Sequence, residues 1–396
     1  MKYAIILPDG AADEPIPELG DRTPLEAARK PNMDRIARRG RLGLVQTIPA
    51  DLAPASDVAT LSLLGYDPGK CYTGRAPLEA AARGIDLAEN DVAVRCNLVT
   101  IANGVMLDHS AGNISNDEGR RICADLAKRL GSEQFQFVPG VSYRHLLICR
   151  NCSLDVTTTP PHDIVNQPIE RYLPRGSGSE ILLDLMARAK IQKGQHAATG
   201  IWLWGEGKKP ELKTFAERFG VRGAVIGAVD LIRGIGTVLG WDRIDVPGAT
   251  GFVNTNYAGK GAAAVKALSD HDLVVVHVEA PDEAGHQGNA RDKITAIERI
   301  DARVVGPVLE ALHGFDRWRI LIAPDHPTPC RCRTHTADPV PFAMAGEGIE
   351  PFACRKRSDF SFTESSARAA GEVVSPGHVL MGQFIQNETP NVRDPR

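Results

Sequence analysis

Short apolar runs alternate with stretches of helical period towards both ends of the chain. Runs of this kind are typical of strands buried in a parallel sheet. The strands predicted from them are Tyr3–Leu7, Leu42–Ile48, Val225–Val229, Asp272–Val278 and Arg319–Ala323. Helical periodicity covers Pro31–Arg39 and Ala290–Leu312, and Pro307 is expected to kink the longer helix. The alternation predicts an α/β core sheet with helices on both faces.

The pattern changes in the middle of the chain, from about residue 86 to residue 219. Strands are predicted at Val92–Ile101, His145–Cys149 and Ile201–Trp204, with amphipathic helices at Asp117–Leu130 and Glu180–Lys190. We interpret this segment, 86–219, as an inserted α+β cap or substrate domain. Residues 1–85 and 220–396 then form one discontinuous core domain.

Charge and composition exclude several functional classes. The net charge of the 396 residues is only −3, which gives no electrostatic footprint for nucleic acid or a membrane surface. The apolar runs are too short for a secretory signal or a membrane-spanning helix, so a cytoplasmic protein whose eight cysteines are free thiols is expected. The sequence contains no phosphate-binding loop of the nucleotide-binding type, so no nucleotide cofactor is expected. A homo-oligomer is left open.

Five carboxylates and imidazoles lie just past the ends of predicted strands: Asp9, Asp282, His286, Asp325 and His326. A sixth, His335, lies a short way downstream of the last pair. Because the carboxyl ends of parallel strands meet at one edge of a sheet, these side chains are expected to converge there. Imidazole and carboxylate ligands together suit zinc, manganese or magnesium, and metal pairs about 3.5–4 Å apart commonly serve phosphoryl transfer. The sequence therefore predicts a two-metal site.

Ser56 stands at the start of a helix predicted to end at Gly65. A serine in this position is usually a helix cap. Beside a two-metal site it is also a candidate nucleophile, since metal coordination activates a hydroxyl.

Other polar residues are candidates for substrate chemistry. His162 and Asp163 lie in a proline-bounded loop and are either an acid/base pair or a surface turn. Arg75, Arg233 and Lys260 are candidates for binding a phosphate or carboxylate group of the substrate.

These motifs together resemble the cofactor-independent (2,3-bisphosphoglycerate-independent) phosphoglycerate mutases, specifically the archaeal-type branch, within the alkaline phosphatase superfamily. The segments that carry the resemblance are Leu7–Gly10, Ser56–Ala59, Tyr72–Arg75, Pro160–Ile164, Ile201–Gly205, Val278–Asp282, Pro324–Pro329 and His335–Phe342. They span nearly the whole chain. The resemblance implies an alkaline-phosphatase-like core with a cap domain, and an isomerase that interconverts 3-phosphoglycerate and 2-phosphoglycerate.

The resemblance also implies roles for single residues. One metal would be held by Asp9, Ser56, Asp325 and His326, and the other by Asp282, His286 and His335. Ser56 would carry the transferred phosphoryl group. The expected ions are two Mn²⁺, with Mg²⁺, Co²⁺ or Zn²⁺ as alternatives, and neither a nucleotide nor 2,3-bisphosphoglycerate is required.

Three alternatives remain open at this point. A bacterial subgroup with very similar motifs has been proposed to be homoserine kinases, which would share the metals and the nucleophile and differ in the acceptor pocket. A metal-dependent, phosphatase-like phosphotransferase is the second. The third is a catalytically inactive binding protein on the same scaffold.

Overall fold

The computed structural model describes residues 1–191, 196–350 and 360–386, and it divides into two compact units. The core unit comprises Met1–Tyr72 together with the described residues from Leu212 onward. The inserted unit is Thr73–Glu211. Of the eight cysteines, seven are described and free, and Cys354 lies outside the described residues.

The strands are β1 (Lys2–Pro8), β2 (Arg41–Val45), β3 (Val92–Ala102), β4 (Val105–Asp108), β5 (Phe135–Val141), β6 (Arg144–Cys149), β7 (Asp155–Thr157), β8 (Arg175–Ser177), β9 (Gly200–Gly207), β10 (Gly223–Ile226), β11 (Asp242–Arg243), β12 (Leu273–Val278), β13 (Trp318–Ile322), β14 (Val340–Gly346) and β15 (Val373–Val374). The helices are α1 (Pro24–Ala27), α2 (Pro31–Arg39), α3 (Ser56–Leu63), α4 (Pro68–Cys71), α5 (Arg75–Ala82), α6 (Asn116–Leu130), α7 (Ser179–Arg188), α8 (Phe215–Phe219), α9 (Asp230–Val238), α10 (Tyr257–Asp270), α11 (Ala280–His286), α12 (Ala290–Ile300), α13 (Gly306–Leu312), α14 (Glu364–Ala370) and α15 (Leu380–Gln386). Short 3₁₀ turns occupy Pro17–Leu19, Pro161–Ile164, Ile169–Tyr172 and Gly377–Val379.

The core unit is built on an eight-stranded sheet in the order β11-β10-β12-β1-β13-β14-β2-β15. Strand β1 pairs in parallel with both β12 and β13, and all three are almost entirely buried. Strand β14, which the apolar pattern did not predict, is antiparallel to β13 and β2, so the sheet is mixed. Parallel strands require both faces of the sheet to be covered.

Helices cover both faces of this sheet. On one face, Ile6 and Val276 share a cluster with Ile297 of α12 and Val308 of α13. On the other face, the Tyr3 ring meets Phe384 of α15 edge to face, with 5.7 Å between the ring centroids. The predicted fold class is thereby confirmed.

The long helix predicted to contain Pro307 changes its helical type before the proline. Helix α12 passes into a π-helical turn at Asp301–Val305, and α13 follows directly with its proline in the first turn. Proline has no N–H to offer the carbonyl one α-helical turn earlier, and its ring crowds that carbonyl. The wider turn accommodates both effects without ending the helix.

The inserted unit has its own antiparallel sheet, ordered β4-β3-β6-β5 with β9 on the other side of β3. Helices α6 and α7 pack against it through Leu126 and Leu182. Helix α5 lies within this unit because Ala76 and Ala80 contact Ala93 of β3. The unit therefore begins at residue 73 and ends at residue 211. The sequence analysis had predicted boundaries at residues 86 and 219 instead.

Across the described residues, the structure contains no helix with the length and apolar character needed to cross a membrane.

Candidate functional site

The three aspartates predicted as metal ligands lie at the carboxyl ends of three neighbouring strands. Asp9 follows β1, Asp282 lies in α11 directly after β12, and Asp325 follows β13. All three are buried. The sheet order β12-β1-β13 therefore brings together residues that are far apart in sequence.

The first group consists of Asp9, Asp325, His326 and Ser56. His326 Nε2 lies 3.5 Å from Asp9 Oδ1, 3.5 Å from Asp325 Oδ2 and 3.0 Å from Ser56 Oγ. The backbone N–H groups of Gly10 and His326 donate to Asp325 Oδ1, at 3.1 and 3.0 Å. These two bonds fix the Asp325 carboxylate and leave its second oxygen facing the group.

Ser56 is not a helix cap. Ala55 occupies the N-cap position of α3, and Ser56 is the first residue within the helix. Its hydroxyl reaches His326 instead of a backbone N–H group of its own helix. Serines at helix starts normally cap the helix, so this orientation favours a role in chemistry.

The second group consists of Asp282, His286 and His335. Asp282 Oδ2 lies 3.3 Å from His286 Nε2, and Asp282 Oδ1 lies 3.5 Å from His335 Nε2. The two imidazole Nε2 atoms are 3.0 Å apart. Nitrogen and oxygen atoms at these separations can share one ion, because metal–ligand distances near 2.0–2.2 Å place ligand atoms about 3 Å from one another.

Each of the three imidazoles is oriented by a backbone carbonyl. The Nδ1 atoms of His286, His326 and His335 lie 3.0, 3.3 and 3.4 Å from the carbonyl oxygens of Arg333, Pro327 and Pro54. A carbonyl oxygen only accepts, so each Nδ1 carries the proton. In the neutral ring the lone pair is then on Nε2, directed at the carboxylates, as metal coordination requires.

The electrostatics of the site also call for cations. Burial, followed by the neighbouring charges of Asp325 and Asp282, raises the pKa of Asp9 well above its ordinary value. Burial opposes ionisation of Asp282 too, but hydrogen bonds from His286 and His335 hold its pKa well below the ordinary value. For His286, the same Asp282 carboxylate outweighs burial and raises the pKa to about 9. Clustered buried carboxylates repel one another unless positive charge is supplied.

Several buried polar atoms in the site have no hydrogen-bond partner. They are Asp9 Oδ1, Asp325 Oδ2 and both ring nitrogens of His277. Orphaned buried polar atoms are rare and call for an explanation such as an ion. Three sets of ligand atoms lie within 4.8 Å of one another: Asp282, His326 and His335; Asp9, His277 and Asp325; and Asp9, Glu279 and Asp282. The residues present therefore fit divalent cations.

The sequence analysis missed His277, Glu279 and Thr328. His277 lies in β12 with Nε2 3.0 Å from Asp9 Oδ2, outside hydrogen-bond geometry, and burial lowers its pKa to about 4. A histidine inside an otherwise apolar strand was the available signal. Thr328 donates to Asp282 Oδ1 at 2.5 Å, but in the sequence it resembles a turn residue between two prolines.

The two predicted substrate-binding cations of the core unit differ in accessibility. Arg233 is partly exposed and pairs with Asp245 Oδ1 at 2.8 Å. Lys260 is fully buried, and its Nζ donates to the carbonyl of His277 at 2.8 Å. Burial lowers the Lys260 pKa to about 8. This placement favours a role for Lys260 beneath the end of β12.

The remaining predicted site residues belong to the inserted unit. His162 Nε2 lies 3.7 Å from Asp163 Oδ1 in the 3₁₀ turn Pro161–Ile164, and both side chains are about half exposed. The His162 ring meets Trp204 edge to face at 5.4 Å. Arg75, at the start of α5, binds Glu79 Oε1 at 3.2 Å and remains partly exposed. The 3₁₀ turn leaves the His162–Asp163 pair accessible to solvent.

Several proteins similar to this chain are named as phosphoglycerate mutases. A family model described as 2,3-bisphosphoglycerate-independent phosphoglycerate mutase matches residues 37–196. A protein of Geobacter sulfurreducens, named probable 2,3-bisphosphoglycerate-independent phosphoglycerate mutase, is 51% identical over 97% of this chain and 100% of its own length. A 2,3-bisphosphoglycerate-independent phosphoglycerate mutase of Methanothrix thermoacetophila is 50% identical with the same coverage.

Solved structures agree with this similarity. A protein of Pyrococcus horikoshii matches with a TM-score of 0.79 and 30% identity, over 98% of both chains. A cofactor-independent phosphoglycerate mutase of Thermoplasma acidophilum matches with a TM-score of 0.64 and 27% identity, over 98% of this chain and 100% of its own.

Proposed function

The chain belongs to the 2,3-bisphosphoglycerate-independent phosphoglycerate mutase family, an isomerase family, and from this premise we propose that it interconverts 3-phosphoglycerate and 2-phosphoglycerate through a phosphoserine at Ser56, in glycolysis or gluconeogenesis. The observation that carries the proposal is the Ser56 hydroxyl. It is turned away from its own helix and lies 3.0 Å from His326, beside the buried carboxylates.

We propose that Asp9, Ser56, Asp325 and His326 hold one divalent ion, and that Asp282, His286 and His335 hold the other. Mn²⁺ is the proposed ion. Bound there, the ions would lower the pKa of the serine hydroxyl and neutralise charge on the transferring phosphoryl group. The carbonyl-fixed imidazoles and the orphaned oxygens of Asp9 and Asp325 support this assignment.

The reaction would proceed in two transfers at one serine. Ser56 Oγ loses its proton and forms a bond to phosphorus as the bond between phosphorus and O3 of glycerate breaks, and O3 takes up a proton. The 2-hydroxyl then loses a proton and attacks phosphorus, the Oγ–phosphorus bond breaks, and Oγ takes up a proton again. The N–H groups at the start of α3 favour the negatively charged phosphoryl group that Oγ carries between the two transfers.

The inserted unit would act as the cap. We propose that His162 and Asp163 move protons to and from the glycerate hydroxyls, and that Arg75 and Arg233 bind its charged groups. The accessibility of the His162–Asp163 pair is compatible with this role.

An assay with 3-phosphoglycerate, Mn²⁺ and an enolase-coupled readout tests the proposal. Ser56→Ala should abolish turnover. Ser62→Ala, a buried serine on the same helix, is the matched control and should remain active. If the folded, Mn²⁺-loaded protein shows no turnover, or if Ser56→Ala is as active as the parent, the proposal is wrong.

The homoserine kinase alternative is not favoured, because the similar proteins described above are named mutases. The same preparation incubated with a nucleoside triphosphate and homoserine provides the direct comparison. Phosphate transfer to homoserine without mutase turnover would reverse this preference.

A further inference from the structure

The side chain of Thr328 stands between the two proposed ligand groups. Its hydroxyl Oγ1 lies 2.5 Å from Asp282 Oδ1 in one group and 3.2 Å from His326 Nδ1 in the other. The residue is fully buried. A single hydroxyl therefore contacts one proposed ligand of each ion.

The direction of these hydrogen bonds is fixed by their partners. His326 Nδ1 carries a proton because it also faces the carbonyl of Pro327, which can only accept. A carboxylate likewise only accepts, so the single Thr328 hydroxyl proton is directed at Asp282. The bonds form one chain in which the His326 Nδ1–H is shared between the Pro327 carbonyl and Thr328 Oγ1, and Thr328 donates to Asp282. This chain holds the His326 Nε2 atom and the Asp282 carboxylate towards the positions proposed for the ions.

Two glycines make room for the threonine. A Cβ atom at Gly10 would lie 2.6 Å from Thr328 Oγ1 and 2.6 Å from Asp282 Oδ1. A Cβ atom at Gly285 would lie 2.3 Å from the Thr328 carbonyl oxygen. The glycine after Asp9 and the glycine before His286 thus serve the same contact, and the threonine is tightly enclosed from two sides.

A buried lysine fixes the backbone of the threonine. Lys293 Nζ donates to the carbonyl of Thr328 at 2.9 Å, to the carbonyl of Ala12 at 3.1 Å and to Asp13 Oδ2 at 2.7 Å. The N–H of Thr328 also donates to the carbonyl of Ala12 at 3.3 Å. The loop after β1, which carries Asp9, is therefore joined to the loop after β13, which carries Asp325.

We propose that Thr328 is a positioning residue that couples the two metal-ligand groups, so that the two ions bind as a pair. The inference rests on the two-metal site of the proposed function. Partners that orient metal ligands typically contribute 10–100-fold to metal affinity. Threonine at this position would link the two sites through one proton donor that is not itself a proposed metal ligand.

Two variants separate the hydroxyl from the shape of the side chain. Thr328→Val keeps the volume and removes the hydroxyl, whereas Thr328→Ser keeps the hydroxyl. The metal-free parent, Thr328→Val and Thr328→Ser proteins are each titrated with Mn²⁺ by calorimetry. Their metal-loaded forms are then compared by electron paramagnetic resonance, which distinguishes exchange-coupled Mn²⁺ pairs from isolated ions. Thermal melting of the metal-free proteins reports on folding alone.

We expect Thr328→Val to bind Mn²⁺ about 10–100-fold more weakly at both steps and to show isolated ions at substoichiometric metal. The parent and Thr328→Ser should show coupled pairs under the same conditions. If Thr328→Val melts at a lower temperature but keeps the parental affinities and coupled signal, the role is structural and the proposal is overturned. If the parent itself binds no Mn²⁺, the two-metal function fails, which the parent's titration reveals separately.

Discussion

The ion pair between Lys293 and Asp13 offers the sharpest test of how the site is held together. Both side chains are buried, with Nζ 2.7 Å from Oδ2. Lys293→Met keeps the length of the side chain but leaves the Asp13 carboxylate without its counterion. Two backbone carbonyls, those of Ala12 and Thr328, lose a donor in the same step. We expect a substantial loss of folding stability.

The size of the effect follows from the burial of the pair. Removing one partner of a buried pair typically costs about 3–5 kcal/mol, because a buried charge remains uncompensated. For a unit of this size, each kcal/mol lowers the melting temperature by about 2–4 °C. Lys293→Met should therefore melt roughly 6–20 °C below the parent.

The assay is urea unfolding and thermal melting of metal-free protein, with two comparison variants. Arg331→Met breaks the exposed pair between Arg331 and Glu14 in the same loop, and it should change stability little because solvent screens exposed pairs. Adding Asp13→Asn to Lys293→Met should recover part of the loss. The amide keeps an acceptor for the backbone N–H groups of Glu14 and Cys330 without a charge. A Lys293→Met loss no larger than that of Arg331→Met would refute the reasoning.

Three further changes test other parts of the molecule. Asp163→Ala should lower mutase turnover by about 10²-fold or more, the scale for losing an acid/base group. It should also shift the products towards free phosphate, measured against the 2-phosphoglycerate formed. An unchanged rate and an unchanged ratio of these products would mean that His162 and Asp163 form only a surface turn. Burial alone would raise the pKa of Glu79, but guanidinium groups, chiefly that of Arg95, hold it below the ordinary 4.5. Glu79 should therefore add stability above pH 4.5 that is lost as the pH falls through its lower folded pKa, and Glu79→Gln should flatten this dependence in urea unfolding. Gly285→Ala should weaken Mn²⁺ binding in a calorimetric titration, because its Cβ would collide with Thr328; parental affinity would contradict that contact.

Much of the core could be predicted from the sequence because strand ends carry a strong signal. Apolar runs identified β1, β12 and β13, and the polar residues that follow them were expected to meet at one edge. The sequence could not give their order in the sheet, since β1 pairs with strands from the far end of the chain. Strand β14 was not predicted, because prolines interrupt the apolar segment around it.

The supporting residues of the site were harder to find. Lys293 looks like one charge among many on an amphipathic helix, yet it shares the buried face of Ile297 and Ile300. A lysine on an apolar stripe was the signal. Thr328 carries no comparable signal in the sequence, because its importance comes from contacts with Asp282 and His326, which only the folded chain brings together.

The central position of β1 has a consequence for synthesis of the protein on the ribosome. Residues Lys2–Pro8 emerge long before both strands that flank them, Leu273–Val278 and Trp318–Ile322. At translation rates of about 5–20 residues per second, this apolar segment waits on the order of tens of seconds for its partners. During that interval its backbone hydrogen-bonding groups are open to other chains, which makes aggregation a hazard. Nascent chains of this protein should therefore depend on chaperones more than their final stability would suggest.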